Sequence, residues 1–167
     1  ASAVADPDPV LYYEHIALYR DPRIKQQVDA GVAPAALPVG KAALRRSGDD
    51  LAIISYGAYV HVAMRVAEAL AKDGIQTSVL DLRWLAPLPV DDVLREANAS
   101  GKTLIVDETR HTGGVGEGIL AALLEHGYTG DVDRVASADS FIPLGDAALE
   151  VLLSEETIEA AAVKLAG

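Results

Sequence analysis

The chain alternates between short apolar runs and stretches in which apolar residues recur every three or four positions. Continuous apolar runs at 51–56, 76–82 and 103–106 predict three buried strands, and a shorter run at 134–137 predicts a fourth. Residues 41–46 predict one more strand at the sheet edge. Because each buried run is followed by a helical pattern, the sequence predicts an α/β, three-layer, doubly wound domain with a mostly parallel sheet of about five strands and helices on both faces.

The intervening segments carry the apolar stripe of amphipathic helices. The first helix has Val60, Ala63, Ala67 and Leu70 on its apolar side and ends near Gly74. Further helices are predicted after residue 89, around residues 119–124 and at the end of the chain, where Ser154 is the expected N-cap.

Residues 1–40 have a different composition from the rest of the chain. Five of the eight prolines precede Gly40, and they interrupt an extended piece at 10–14, a short segment at 16–20 and an Ala/Pro-rich stretch at 30–38. We therefore expect residues 1–40 to be a linker and residues 41–167 to form the domain.

Composition excludes several classes of protein. A net charge of −11 and scattered Lys and Arg residues argue against a nucleic-acid partner. No apolar run approaches the roughly 18 residues that span a membrane. The chain has no cysteine, hence no disulfide or thiolate metal site, and its first residues lack the pattern of a signal peptide. These features predict a cytoplasmic protein with no nucleic-acid or membrane partner.

In a parallel sheet, the carboxyl ends of the strands lie along one edge, where ligands usually bind. The segments expected to meet there are 55–56, 81–83, 107–111 and 137–139. The most informative of them continues into a glycine-rich turn before a helix. We predict that this turn forms an anion or partner loop, made of Arg110, His111, Thr112, Gly113, Gly114 and Gly116.

The glycines of this loop have two interpretations. Their N–H groups could face an anion at the helix amino end, or the glycines could permit a tight turn with close packing, which we favour. The dinucleotide-binding fingerprint is not met, because its third glycine position is Ile119. His111 is a weak candidate for an acid, a base or a hydrogen-bond donor, and its alternative is a surface loop histidine.

Charged residues surround the end of the third strand. Asp107, Glu108 and Arg110 predict a charge network that is solvated or faces a partner. Neighbouring carboxylates point to opposite sides of a strand, so they form a poor acid and base pair. With no nucleophile elbow and no histidine pair at metal-ligand spacing, we expect no catalytic, cofactor-binding or metal-binding residue in this chain.

Four segments, in this order, resemble one family. They are LYYEHIALYR at 11–20, LPVGKAALRRSGDDLAIISYG at 37–57, VLDLRWLAPLPVD at 79–91 and DETRHTGGVGEGI at 107–119. Together they resemble the C-terminal domain of the beta part of thiamine diphosphate-dependent 2-oxo acid dehydrogenases, which belongs with the transketolase C-terminal domains. The resemblance implies a parent enzyme that decarboxylates a 2-oxo acid on thiamine diphosphate with magnesium and transfers the acyl group to lipoyl.

The resemblance also implies how this chain divides and what it lacks. The first segment resembles the end of a pyrimidine-binding domain, which would make residues 1–40 its remnant and linker, and the chain a fragment. The family's Gly-Asp-Gly cofactor motif is missing, since Gly48 precedes Asp49 and Asp50. The isolated domain would bind no cofactor and would be inactive.

The family's C-terminal domain serves in assembly. The implied partners are the preceding cofactor-binding domains or alpha part, a second copy in a dimer, and a lipoyl acyltransferase core. Arg134, Val135, Asp139 and Pro143 match the spacing of members that dock the acyltransferase, with the Asp139 carboxylate as partner of an arginine. Alternatively, Asp139 caps a local turn.

Two other functions remain open from the sequence. The chain could be a free-standing domain that binds an anion or small molecule at the glycine-rich turn, or the C-terminal domain of a transketolase or deoxyxylulose-phosphate synthase.

Overall fold

The computed structural model describes residues 1–25, 31–32 and 35–167. Helix α1 (Ser2–Ala5) and a 3-10 helix (Ile16–Arg20) precede the domain. Its elements are β1 (Ala43–Arg46), β2 (Leu51–Ser55), α2 (Tyr59–Lys72), β3 (Thr77–Asp81), α3 (Val90–Ser100), β4 (Lys102–Arg110), α4 (Val115–Glu125), β5 (Asp131–Ser137), a second 3-10 helix (Gly145–Glu150) and α5 (Glu155–Ala166).

The strands form one sheet in the order β1-β3-β2-β4-β5, with five strands among the described residues. β2 pairs in parallel with both β3 and β4, and β4 pairs in parallel with β5. β1 is antiparallel to β3 at the edge, where the sequence predicted an edge strand. The chain runs outward from β2 to β3 and then returns to β4 on the other side. The topological switch point therefore lies between the carboxyl ends of β2 and β4.

Alternate residues of the strands enter two separate cores. Leu51 and Ile53 pack with α2 and α5 on one face of the sheet. Ile54 and Ile105 pack with α3 and α4 on the other face. Successive side chains of a strand point to opposite faces, so a continuous apolar run serves both cores. The predicted three-layer, doubly wound fold is confirmed.

The main difference from the predicted elements is the length of β4. The apolar pattern ends at Val106, but the strand continues to Arg110 because β5 pairs with its polar part. Asp107 lies opposite Ala136 and Arg110 opposite Ser137, with an irregularity between the two pairs. The expected polar turn is consequently shorter and begins at His111.

A side chain of the segment before the domain contacts the end of β4. His15 Nε2 lies 2.9 Å from Glu108 Oε1, within hydrogen-bond distance, at the carboxyl end of β4. The predicted Ala/Pro-rich stretch at 30–38 falls partly outside the described residues. Within the ranges described, no helix is both long enough and apolar enough to cross a membrane.

Candidate functional site

The polar residues that follow the strands lie together, as predicted from the parallel sheet. Ser55 Oγ donates a hydrogen bond of 3.0 Å to the carbonyl of Val106. Ser137 Oγ donates one of 2.6 Å to the carbonyl of Glu108, and the N–H of His111 donates to the carbonyl of Ser137 at 3.0 Å. The ends of β2, β4 and β5 thereby form one continuous hydrogen-bonded edge.

Asp107 is the centre of this edge, and its side chain is only 1% exposed. Its Oδ1 accepts hydrogen bonds from the Tyr56 hydroxyl at 2.6 Å and from the Thr109 hydroxyl and N–H at 2.8 and 3.0 Å. Its Oδ2 accepts one of 2.7 Å from the N–H of Gly116. Burial opposes ionisation, but these hydrogen bonds outweigh it and lower the pKa of Asp107 below its usual value.

The prediction of Asp107 as a solvated or partner-facing charge was therefore wrong. Since β4 continues past Val106, the alternation of its side chains turns Asp107 inward, toward the amino end of α4. A carboxylate is favoured there by the helix dipole and by the free N–H groups of the first turn. Asp107 satisfies one of these N–H groups from within the protein.

Two glycines of the loop make room for that carboxylate. A Cβ added at Gly114 would lie 2.5 Å from Thr109 Oγ1 and 2.6 Å from Asp107 Oδ2. A Cβ at Gly116 would lie 2.8 Å from Arg134 Cδ and 3.2 Å from Asp107 Oδ2. These distances support close packing as the role of the two glycines, because the Gly116 N–H already has an acceptor.

His111 lies against an arginine rather than a carboxylate. Arg134 Nη2 is 3.1 Å from His111 Nδ1 and 3.3 Å from Nε2, so the guanidinium contacts the imidazole ring directly. Among the described hydrogen bonds, none joins the His111 side chain to a carboxylate that could orient it as a general base. His111 is exposed, as is the neighbouring Arg110.

Asp139 follows β5 and holds the loop through Thr112. Its Oδ1 accepts a hydrogen bond of 2.8 Å from the Thr112 N–H, and its Oδ2 accepts one of 2.6 Å from the Thr112 hydroxyl. These hydrogen bonds lower the pKa of Asp139, which is exposed and stays ionised at neutral pH. The residue caps the loop and still presents charge to solvent.

The predicted charge network of Asp107, Glu108 and Arg110 does not form. Asp107 is bound by hydroxyl and N–H groups, and Glu108 pairs with His15. In the described ranges Arg110 takes part in no ion pair. Short-range sequence patterns could not reveal these partners, since Tyr56 and Asp107 are 51 positions apart and His15 and Glu108 are 93 apart.

The side chains at this edge determine whether it could hold a metal ion or a diphosphate. Nowhere in the described chain do three or more His, Cys, Asp or Glu side chains form a group that could hold a metal ion. The helix amino end that could hold a diphosphate already contacts Asp107. Most polar groups of the site have hydrogen-bond partners within the protein. Arg110, His111 and Asp139 are nevertheless exposed to solvent.

Comparison with known proteins agrees with this fold and site. Residues 40–161 match the family described as the C-terminal domain of transketolase. The chain therefore belongs to the transketolase C-terminal domain family, as its four segments predicted.

Its curated relatives include beta subunits of two 2-oxo acid dehydrogenases. The chain is 35% identical over 149 residues to the pyruvate dehydrogenase E1 component subunit beta of Bacillus subtilis, and 42% identical over 125 residues to the 2-oxoisovalerate dehydrogenase subunit beta of the same organism. These alignments cover 87% and 75% of this chain but only 45% and 37% of the relatives. The chain thus spans less than half the length of these relatives.

Solved structures show the same fold. A split gene transketolase, solved as an inactive beta4 tetramer, superposes with a TM-score of 0.70 at 26% identity, over 79% of this chain and 43% of that one. A 2-oxoglutarate:ferredoxin oxidoreductase from Magnetococcus marinus superposes with a TM-score of 0.53 at 13% identity, over 76% of this chain and 19% of that one, which shows the fold alone.

Proposed function

We propose that this chain is the C-terminal domain of the beta part of a 2-oxo acid dehydrogenase. The parent enzyme is a cytoplasmic oxidoreductase that decarboxylates a 2-oxo acid on thiamine diphosphate and transfers the acyl group to lipoyl. The observation that supports this most directly is the identity of 35% and 42% to two dehydrogenase beta subunits over most of the domain.

Within that enzyme we assign the domain to assembly. Large apolar side chains lie exposed in the segment before the domain, where Leu11, Tyr12 and Tyr13 are 77–80% exposed. A second exposed group follows β5, where Phe141 is 94% and Leu144 is 96% exposed. Exposed apolar side chains of this size are typical of surfaces that other proteins cover.

Each exposed group has its own proposed partner. The first resembles the end of a pyrimidine-binding domain, so we assign it to the preceding cofactor-binding domains or the alpha part. We assign the second to another copy of the chain in a dimer. The beta4 tetramer of the related split gene transketolase supports contacts between copies.

Thiamine diphosphate with magnesium does not fit the described residues. They contain no metal-binding group of His, Asp or Glu side chains, and Asp107 occupies the helix amino end where a diphosphate would bind. A second anion at that place would be repelled by the buried carboxylate. We therefore derive no chemical step in this domain and assign the cofactor to the other domains of the parent enzyme.

Asp139 is the proposed contact for a lipoyl acyltransferase core. Its hydrogen bonds to Thr112 hold the carboxylate in one orientation, and it remains exposed at the end of β5. An oriented, ionised carboxylate is a suitable partner for an arginine. Because the side chain is already held in one orientation, it loses little conformational entropy on binding.

The transketolase alternative rests on the solved structure at 26% identity. The dehydrogenase is better supported, since the identity to its beta subunits is higher. A free-standing domain that binds an anion at the glycine-rich turn is less well supported, because Gly116 already donates its N–H to Asp107.

The test uses an antibody raised against this domain. When an extract of the source cell passes over a column that carries this antibody, the column should remove the thiamine diphosphate-dependent activity that decarboxylates pyruvate or branched-chain 2-oxo acids. A blot of the retained material should show a polypeptide much larger than 17.5 kDa.

If the column removed transketolase activity instead, the result would support the alternative that the chain is the C-terminal domain of a transketolase. A band at 17.5 kDa, with both activities left in the supernatant, would contradict the proposal. A control column with antibody against an unrelated protein should retain neither activity.

A further inference from the structure

A second concave surface lies away from the carboxyl edge of β4. It is a groove of about 510 Å³ between the 3-10 helix Ile16–Arg20 and the first half of α2. Both the segment before the domain and the domain itself contribute side chains to it. Its lining residues lie between positions 18 and 23 and between positions 58 and 65.

The charge of this groove is opposite to that of the chain. Four of its lining residues are basic, whereas the chain as a whole carries −11. Arg23 is paired with Asp21, with Nη2 and Oδ2 2.6 Å apart, and Arg65 is paired with Glu155 at the same distance. Within the described ranges neither Arg20 nor His61 takes part in an ion pair. The guanidinium of Arg20 therefore leaves an excess of positive charge in the groove.

The single acidic residue of the lining does not cancel that excess. Hydrogen bonds from Arg23 lower the pKa of Asp21 to about 2, so Asp21 is ionised at neutral pH, but the Arg23 guanidinium offsets its charge. Glu155 is likewise occupied by two nitrogens of Arg65, Nε and Nη2. Among the described lining residues, Arg20 is therefore the cation that no carboxylate pairs with, and the imidazole of His61 adds a hydrogen-bonding group.

The rest of the lining is apolar. Leu18, Pro22, Ala58 and Val62 contribute carbon surface beside the basic groups. Ala58 is also the N-cap residue of α2, a helix with no capping side chain and no acidic residue in its first turn. The positive end of the helix dipole thus adds to the charge of the groove.

We propose that this groove binds a small organic anion, a carboxylate or phosphate ester attached to an apolar group. Arg20 and His61 contact the anion, and Leu18 and Val62 cover the apolar part. Arg65, held by Glu155, forms one wall and keeps its position when the ligand leaves. This site is separate from the assembly role proposed above and does not depend on it.

Phenyl phosphate is a suitable probe, because it joins a phosphate ester to one aromatic ring. Titrated into the chain, it should shift the imidazole NMR signals of His61 along a saturable curve. Inorganic phosphate lacks the apolar part and phenol lacks the charge, so each should bind at least about tenfold more weakly. Raising the salt concentration should weaken phenyl phosphate binding, since the cationic groups are near the surface.

The variant Arg20→Gln should weaken phenyl phosphate binding about tenfold, because it removes one charge-assisted hydrogen bond. Lys72→Gln is the control for loss of a positive charge. Lys72 is exposed on α2 but lies outside the groove, so this substitution should leave the affinity unchanged. His61→Gln, measured by calorimetry, should also weaken binding. Shifts that do not saturate, or equal affinity in wild type and Arg20→Gln, would overturn the proposal.

Discussion

The hydroxyl of Tyr56 donates a hydrogen bond of 2.6 Å to the buried carboxylate of Asp107, across the topological switch point between β2 and β4. In open α/β sheets this crevice usually holds a ligand. Here the same carboxylate also accepts the N–H of Gly116 and so occupies the amino end of α4. The protein thus fills its own switch point with a buried side chain.

Asp107→Asn should destabilise the domain by about 2 kcal/mol, because hydrogen bonds to a buried charged group are the strong ones. The amide retains the shape but loses the charge, and its NH₂ group cannot accept a hydrogen bond. Urea denaturation followed by circular dichroism measures the change. Tyr56→Phe removes a single donor and should cost only about 1 kcal/mol. If the Asn variant were as stable as the wild type, the carboxylate would have no role at the helix end.

The contribution of Asp107 to stability should depend on pH. Its folded-state pKa is lowered, so the unfolded chain binds the proton more readily and acid favours unfolding. The stabilisation is therefore complete above about pH 5 and is lost as the pH falls through the folded-state pKa. The difference in unfolding free energy between wild type and Asp107→Asn should be constant at neutral pH and shrink below about pH 4. A difference that grew in acid would contradict this sign.

Gly116 and Gly118 form a matched pair within α4. A Cβ at Gly116 would lie 2.8 Å from Arg134 Cδ, whereas one at Gly118 would meet nothing within 4 Å. Gly116→Ala should destabilise the domain by about 1–2 kcal/mol through overpacking. Gly118→Ala should stabilise it by up to about 1 kcal/mol through helix propensity. Thermal unfolding compares the two variants, and equal effects would show that packing at Gly116 is unimportant.

Asp139→Ala should weaken binding of a lipoyl acyltransferase core while the domain stays folded. We expect a loss of about tenfold, the value of one charge-assisted contact. Asp146→Ala, which removes another acidic residue from the segment after β5, is the control for general charge. Thr112→Val removes the hydroxyl that orients the carboxylate and should have a smaller effect. The affinity of each variant for the intact acyltransferase is measured by calorimetry. Unchanged affinity for Asp139→Ala would contradict the docking role.

Most of the fold could be predicted from local patterns. The runs at 51–56 and 76–82 are apolar because both faces of their strands are covered, and the structure places strands at Leu51–Ser55 and Thr77–Asp81. The N-cap Ser154 was also predicted, and its hydroxyl accepts the N–H of Thr157. Such features depend on residues that are close in sequence or on burial alone. The pattern of apolar and polar residues is enough to predict both.

The polar end of β4 could not be predicted in the same way. Residues 107–110 have the composition of a loop, and only their pairing with β5 makes them a strand. Propensity is a weak guide at such positions, since cross-strand neighbours determine the conformation. The inward orientation of Asp107 follows from that pairing, so the error in its expected exposure has the same origin.

The class of the fold, the order of its elements and the family could all be predicted from the amino-acid sequence, because apolar periodicity and the four segments are local properties of the chain. The roles of the polar residues at the sheet edge became clear only in the folded structure. Tyr56 meets Asp107 because the crossovers place β2 beside β4, and His15 meets Glu108 because the first segment packs against the carboxyl end of β4. A hydrogen bond between residues far apart in sequence depends on strand order, and strand order is a property of the assembled sheet.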